Sequence, residues 1–194
     1  MTEPVFEEMS AAEPNARSVA KTWWNLLYDW AEAIAIAVLA VVFIFAFLFR
    51  VVTVDGQSMN RTLKHGEQLI LSRFSYTPSH GDIVVLQMEQ EQRLLIKRVI
   101  GVAGDTIEVT KDGQVLRNGE VLEEPYISDK TAQEGMTDPV VVPEGHVFVM
   151  GDNRASGWSW DSRSFGCIKY NEVVGKVVFR ISPLNRMGGL YDKY

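Results

Sequence analysis

Cysteine is almost missing from this 194-residue chain, with Cys167 standing alone. That excludes an internal disulfide, so a domain outside the cytoplasm has to be held by packing alone. The three histidines, His65, His80 and His146, are scattered. With one cysteine they leave no metal-ligand set, and neither metal nor cofactor is expected. Clusters of lysine and arginine are absent too, and the formal charge is −6. Phosphate binding wants a basic face, so nucleic acid is excluded as a partner. There is no internal repeat and no low-complexity linker. A composition of 46% hydrophobic and 23% charged residues excludes a wholly disordered chain. Chemistry, if present, runs on ordinary side chains.

Charge vanishes completely between Ala33 and Phe49. With Trp30 to Glu32 included, a helix here reaches roughly 30 Å at about 1.5 Å per residue, enough to span a bilayer's hydrocarbon core. A buried core helix would carry a polar stripe, and this segment has none. A cleaved leader would end in small residues at alternate positions, whereas this stretch ends Phe47-Leu48-Phe49-Arg50. The segment reads as an uncleaved anchor in a lipid bilayer. Before it, Trp23, Trp24, Tyr28 and Trp30 form an aromatic cluster suited to a membrane–water boundary. Residues 1–22 are polar, acidic and irregular, as in a disordered tail. Arg17 and Lys21 precede the helix while Arg50, Arg61 and Lys64 follow it, so charge counting does not orient it.

After Arg50 the pattern turns to strands. Runs rich in valine, isoleucine and leucine recur at 50–54, 68–72, 82–87, 93–100, 106–110, 147–150 and 173–181. Turn signals separate them, among them His65-Gly66, His80-Gly81-Asp82, Asp112-Gly113 and Asn118-Gly119. No helical period of useful length interrupts them. The expected fold is mainly β: an antiparallel, barrel-like domain over 50–194 with a small β-hairpin lobe, plus the N-terminal transmembrane helix over 23–49.

Two residues in that domain are candidates for chemistry. In a strand Lys97 shares a face with Leu95 and Val99, while Arg98 points the other way. An ammonium wedged between branched aliphatic groups loses hydration, which favours the neutral amine. A neutral lysine is a competent general base. Ser58 follows a strand-like run, and Gly56 before it lets the backbone bend, so the serine stands exposed at a turn. His65 is seven residues beyond Ser58, but it sits directly before a turn glycine, as His80 does, and His146 follows one. All three histidines read as solvated turn residues rather than members of a Ser-His-Asp triad.

Several segments in fixed order resemble the bacterial type I signal peptidases, membrane-anchored Ser/Lys endopeptidases, in their short single-anchor form. The first is Val54-Asp55-Gly56-Gln57-Ser58-Met59-Asn60-Arg61-Thr62-Leu63 and the second His80-Gly81-Asp82-Ile83-Val84-Val85. The third is Lys97-Arg98-Val99-Ile100-Gly101-Val102-Ala103-Gly104-Asp105, followed by Asn118-Gly119 and Glu124-Pro125-Tyr126. The last joins Met150-Gly151-Asp152-Asn153-Arg154 to Ser159-Trp160-Asp161-Ser162-Arg163. Boxes in the correct order carry far more weight than any one motif.

The resemblance implies Ser58 as nucleophile, Lys97 as its general base and Ser159 as the hydroxyl that orients the lysine. It implies a structural brace of Arg98, Asp161, Arg163 and Asp152, and an oxyanion donor at the Ser58 N–H. Its substrates would be the signal peptides of secreted preproteins, cut after an Ala-x-Ala pattern, with Val52 and Val54 as pocket candidates. The tail would be cytoplasmic and the 50–194 domain extracytoplasmic. Departures are visible. Gly56 stands where some relatives carry an oxyanion-binding hydroxyl, and Arg61 and Ala103 replace prolines. The stretch from Ala155 to Trp158 is longer than the family pattern, which leaves Ser156 as an alternative partner for Lys97. A catalytically silent relative that binds secreted or pilus subunits would be expected to lose Ser58 or Lys97, and both are kept. The Ser/Lys autoproteolytic repressors share the dyad but need a DNA-binding domain and no anchor.

Overall fold

The computed structural model describes residues 16–73, 76–88 and 94–191. The tail expected over 1–22 lies outside the described residues up to position 15, and helix α1, Ala16–Leu48, already runs through its last part. The stretch Thr22–Leu48 is long and apolar enough to cross a membrane. Its side chains from Thr22 to Phe47 are all exposed, the aromatics Trp23, Trp24, Tyr28 and Trp30 among them. A helix with no charged residue from Ala33 to its end at Leu48 is an anchor by length and composition. By its internal contacts the chain divides into two units, 1–46 and 47–194.

The second unit is built of antiparallel strands: β1 (Phe49–Thr53), β2 (Gln68–Ser72), β3 (Ile83–Leu86), β4 (Leu95–Val102), β5 (Thr106–Val109), β6 (Val115–Arg117), β7 (Glu120–Val121), β8 (Val140–Val141), β9 (His146–Met150), β10 (Ile168–Lys169) and β11 (Val173–Ser182). Seven form one sheet in the order β1-β2-β11-β3-β4-β9-β10, and four form a smaller sheet, β7-β6-β5-β8. Register shifts interrupt β11 against both β2 and β3, and β4 against β9 between Val99 and Gly101. Each extra residue bends its strand and raises the twist, which curls the large sheet into a half-barrel.

The small sheet is the hairpin lobe. Asn118 and Gly119 both take positive φ, 56° and 84°, between the paired residues Arg117 and Glu120. That is the geometry of a two-residue turn whose twist matches its strands. The short strands β8 and β10, and a one-turn helix α2 (Ser162–Phe165), have too few residues to show a period in the sequence.

Strand β3 is apolar on both faces because both are covered, and β4 beside it is apolar but for one cation on each face. Ile83 and Val85 pack with Val52, Val54, Met59 and Leu71, and Ile96 lies against that cluster. Val84 and Leu86 pack instead with Val99, Val147 and Val149, with Leu95 beside them. Lys97 is paired across the ladder with Val84, so it enters on the second of these faces, between Leu95 and Val99. Arg98 enters on the other.

Candidate active site

Ser58 lies on the loop between β1 and β2, and that loop is pinned at several points. The Val54 N–H donates to the Glu67 carbonyl at 2.8 Å, and the Gly66 N–H donates back to Val54 at 2.9 Å. Within it the Asn60 N–H reaches the Gln57 carbonyl at 2.9 Å and the Leu63 N–H the Met59 carbonyl at 2.8 Å, a tight turn around the serine. Met59 and Leu63 are buried in the core, so the residues flanking Ser58 fix its backbone while its own side chain stays half exposed. The Ser58 carbonyl accepts from the Asn153 N–H at 2.9 Å, which ties the turn to the segment after β9.

From β4, Lys97 reaches this turn. Its Nζ is hydrogen-bonded to Ser58 Oγ at 2.8 Å, and the residue is 2% exposed. The two side chains are separated by 39 positions in sequence and meet because the half-barrel folds the β1–β2 loop over the middle of β4.

Behind Ser58 stands Gly151, at the end of β9. A side chain on Gly151 would overlap the Ser58 carbonyl oxygen and the Ser159 side chain, which places all three residues together. Ser159 is buried, and its hydroxyl donates to Asp161 Oδ2 at 2.6 Å. The same oxygen accepts from the Gly151 N–H at 3.0 Å. Ser156, the alternative partner, is exposed on the loop.

Three buried arginine–carboxylate pairs hold this region. Arg163 grips Asp161 through Nε at 2.9 Å and Nη2 at 2.8 Å. Arg98 grips Asp152 through Nε at 2.8 Å and Nη2 at 2.6 Å, and the Thr62 hydroxyl donates to the same carboxylate at 2.5 Å. Arg154 grips Glu124, donating to Oε2 at 2.8 Å, and returns Nε to the Gly151 carbonyl at 2.8 Å. Such two-point pairs fix geometry as well as charge. Burial alone would push the Asp161 carboxyl up, but Arg163, the Ser159 hydroxyl and the Gly151 N–H hold it below the usual carboxylate range. Burial likewise opposes the Arg98 and Arg154 cations, and the bonded carboxylates of Asp152 and Glu124 raise both above the ordinary value.

The four residues expected as a brace form two buried ion pairs, Arg98 with Asp152 and Arg163 with Asp161. Arg154, Glu124 and Thr62 belong with these groups and were not singled out. Their signal was present, since each lies inside a box that carries the resemblance. Tyr126, from the box of Glu124, also lies beneath the Arg98 guanidinium, 3.9 Å from ring centre to Cζ.

Val52 and Val54 face the core and are buried, so what they can offer a ligand is the floor of a pocket. His65 is exposed and accepts from the Gly56 N–H at 3.2 Å. His80 is not simply solvated, for its Nε2 lies 2.6 Å from Asp105 Oδ2. The lysine, and none of the histidines, is the group bonded to Ser58 Oγ. Gly56 takes φ 97°, a region that favours glycine.

Comparison with known proteins agrees with the resemblance in the boxes. The family model described as signal peptidase, peptidase S26, matches residues 27–182. The chain is 38% identical over 175 residues to the Signal peptidase I of Bacillus licheniformis, covering 84% of this chain and 92% of that protein. It is 38% identical over 185 residues to the Signal peptidase I T of Bacillus subtilis strain 168, covering 89% and 94%. A solved signal peptidase I from Enterococcus faecalis V583 is 32% identical, with 52% of this chain and 97% of that one covered at a TM-score of 0.43. The chain belongs to the signal peptidase family, peptidase S26. It is a serine endopeptidase of the signal peptidase I type.

Proposed function

We propose that this endopeptidase removes signal peptides from exported preproteins, cutting after small residues in an Ala-x-Ala pattern, with Ser58 as nucleophile and Lys97 as general base. The observation that carries this reading is the 2.8 Å contact between Ser58 Oγ and a lysine that is 2% exposed. Desolvation favours the neutral amine, whose lone pair then accepts the serine proton. Ser58 Oγ attacks the scissile carbonyl, and the Ser58 N–H donates to the developing oxyanion. The lysinium returns its proton to the departing amine as the C–N bond breaks. Lys97 next takes a proton from water, which attacks the acyl-enzyme, and the lysinium returns that proton to Ser58 Oγ as the ester C–O bond breaks. Ser159 is the orienting group in this scheme. Its proton is committed to Asp161 at 2.6 Å, which leaves its oxygen lone pairs free to accept from Lys97.

Strand β1 stands at the edge of the large sheet, paired on one side with β2. An extended substrate adding main-chain hydrogen bonds to that region would bring its small residues over the floor made by Val52 and Val54. The helix confines enzyme and signal peptide to one membrane surface and so raises their effective concentration. In this reading the N-terminus is cytoplasmic and the β unit extracytoplasmic, as in the family the boxes resemble.

The test is cleavage of a preprotein bearing an Ala-x-Ala site by the full chain in detergent, with the cut located by mass. The reading predicts cleavage directly after the second alanine, and loss when either alanine becomes phenylalanine. No cleavage of several preproteins by folded protein would favour a silent relative that binds secreted subunits. Cleavage that ignores the two alanines would overturn the proposed specificity.

A further inference from the structure

A second recess adjoins the Ser58 turn, with a cavity volume of about 350 Å³. Its walls include Gln57, Asn60 and Arg61 from the turn itself, Asn153 after β9, Asp129, and Trp158 from the lengthened loop. It is bound directly to the turn, since the Asn153 side chain donates to the Gln57 carbonyl at 3.2 Å and its N–H to the Ser58 carbonyl at 2.9 Å. Its chemistry is opposite to that of the floor under β1. There the side chains are Val52, Val54, Met59 and Leu63; here they are three amides, one cation, one carboxylate, the Ser128 hydroxyl, the Ala155 methyl and the indole of Trp158, which is 53% exposed.

Arg61 shapes this recess at a conformational cost. Its φ is 91°, a region where L side chains are disfavoured, and strain of that kind gathers where position matters for function. The guanidinium donates through Nη1 to the Ile127 carbonyl, so it bridges the nucleophile turn to the segment that carries Asp129. A guanidinium has five N–H donors, and this contact uses one of them.

Building on the proposed cleavage reaction, we infer that this recess receives the first residues of the mature chain beyond the cut, and that Arg61 selects for an acidic side chain among them. The two sides of the scissile bond differ in the same sense as the two surfaces beside Ser58. Small apolar residues precede the cut, while the segment that follows starts a secreted, water-soluble chain. Side-chain amides at Gln57, Asn60 and Asn153 suit its main chain, and the Trp158 ring gives it a wall to pack on. A carboxylate near Arg61 gains a charge-assisted hydrogen bond, and a lysine in the same place is repelled. Asp129 works against that preference.

The experiment uses the full chain in detergent and preproteins with one Ala-x-Ala site, placing Glu or Lys at each of the first three mature positions. The reading is the ratio of kcat/KM for Glu over Lys at each position, which cancels any general effect of a variant on activity. The wild type should favour Glu by roughly two- to five-fold at one position, the scale of a solvent-exposed ion pair. At that position Arg61→Glu should invert the ratio, Arg61→Lys should keep its direction, and Asp129→Asn should raise it. A ratio of one at all three positions in the wild type overturns this inference and leaves the peptidase reading standing, as does a ratio that Arg61→Glu leaves unchanged. Failure of the wild type to cut any of the set overturns both.

Discussion

Gly151 and Ser58 are packed so closely that a side chain on the glycine would overlap the serine's carbonyl oxygen. A methyl group placed there also strikes the Ser159 side chain, so something in the site has to move. The backbone of Ser58 is fixed by Met59, Leu63 and the Asn153 N–H, so any shift there changes where its Oγ stands relative to Lys97.

Gly151→Ala is therefore expected to lower both activity and stability. Overpacking of one methyl group costs about 1–3 kcal/mol of stability. A displacement on the order of 1 Å at reacting atoms costs on the order of a hundredfold in rate. Paired measurements of kcat and thermal unfolding in detergent check this. Wild-type kcat in Gly151→Ala would show that the close approach is irrelevant to the chemistry.

Asp152→Ala leaves the Arg98 cation buried without its carboxylate, and Thr62 without its acceptor. Breaking a buried pair by removing one partner costs about 3–5 kcal/mol. The expected outcome is a large drop in the unfolding midpoint, and the double variant Asp152→Asn with Arg98→Met should recover part of it. A midpoint within a degree or two of wild type in Asp152→Ala would show that Arg98 finds other compensation.

Asp161 carries a pH dependence whose direction follows from its partners. Its carboxyl ionises at lower pH in the folded chain than in the unfolded one, because Arg163, Ser159 and Gly151 outweigh its burial. The stabilisation is thus fully present above the unfolded value of about 3.9 and is lost as pH falls through the lower folded value. Denaturant unfolding between neutral pH and pH 3 should show stability falling at the acid end. The fall should be shallower in Asp161→Asn, which has no proton to take up there. Equal acid slopes in the two proteins would remove Asp161 from the account.

Much of this fold was legible in sequence because strands buried on both faces, such as Ile83–Leu86, are continuous apolar runs bounded by turn residues. The anchor was legible for the same reason. Pairings were harder. Lys97 and Ser58 are named by their boxes, yet their contact across 39 positions is a consequence of how the sheet curls. How the charged residues pair is likewise not written in the boxes. Arg98 reaches Asp152, 54 residues away, because packing decides which carboxylate faces it. His80 looked like a turn residue, and it is one, but the turn delivers it to Asp105. Arg154 and Glu124 both lie inside the boxes, but nothing in a string of letters says that the two charges are enclosed together.

The central claim, that Ser58 and Lys97 act as one catalytic unit, is tested most directly by comparing Ser58→Ala, Lys97→Ala and the double variant on one preprotein. Groups that act together are not additive, so each single change should reduce kcat by at least about ten-thousandfold and the double change by no more than either. Correct folding of all three would be checked by thermal unfolding. Retention of most activity by Lys97→Ala would contradict the account and return the search for the base to the histidines.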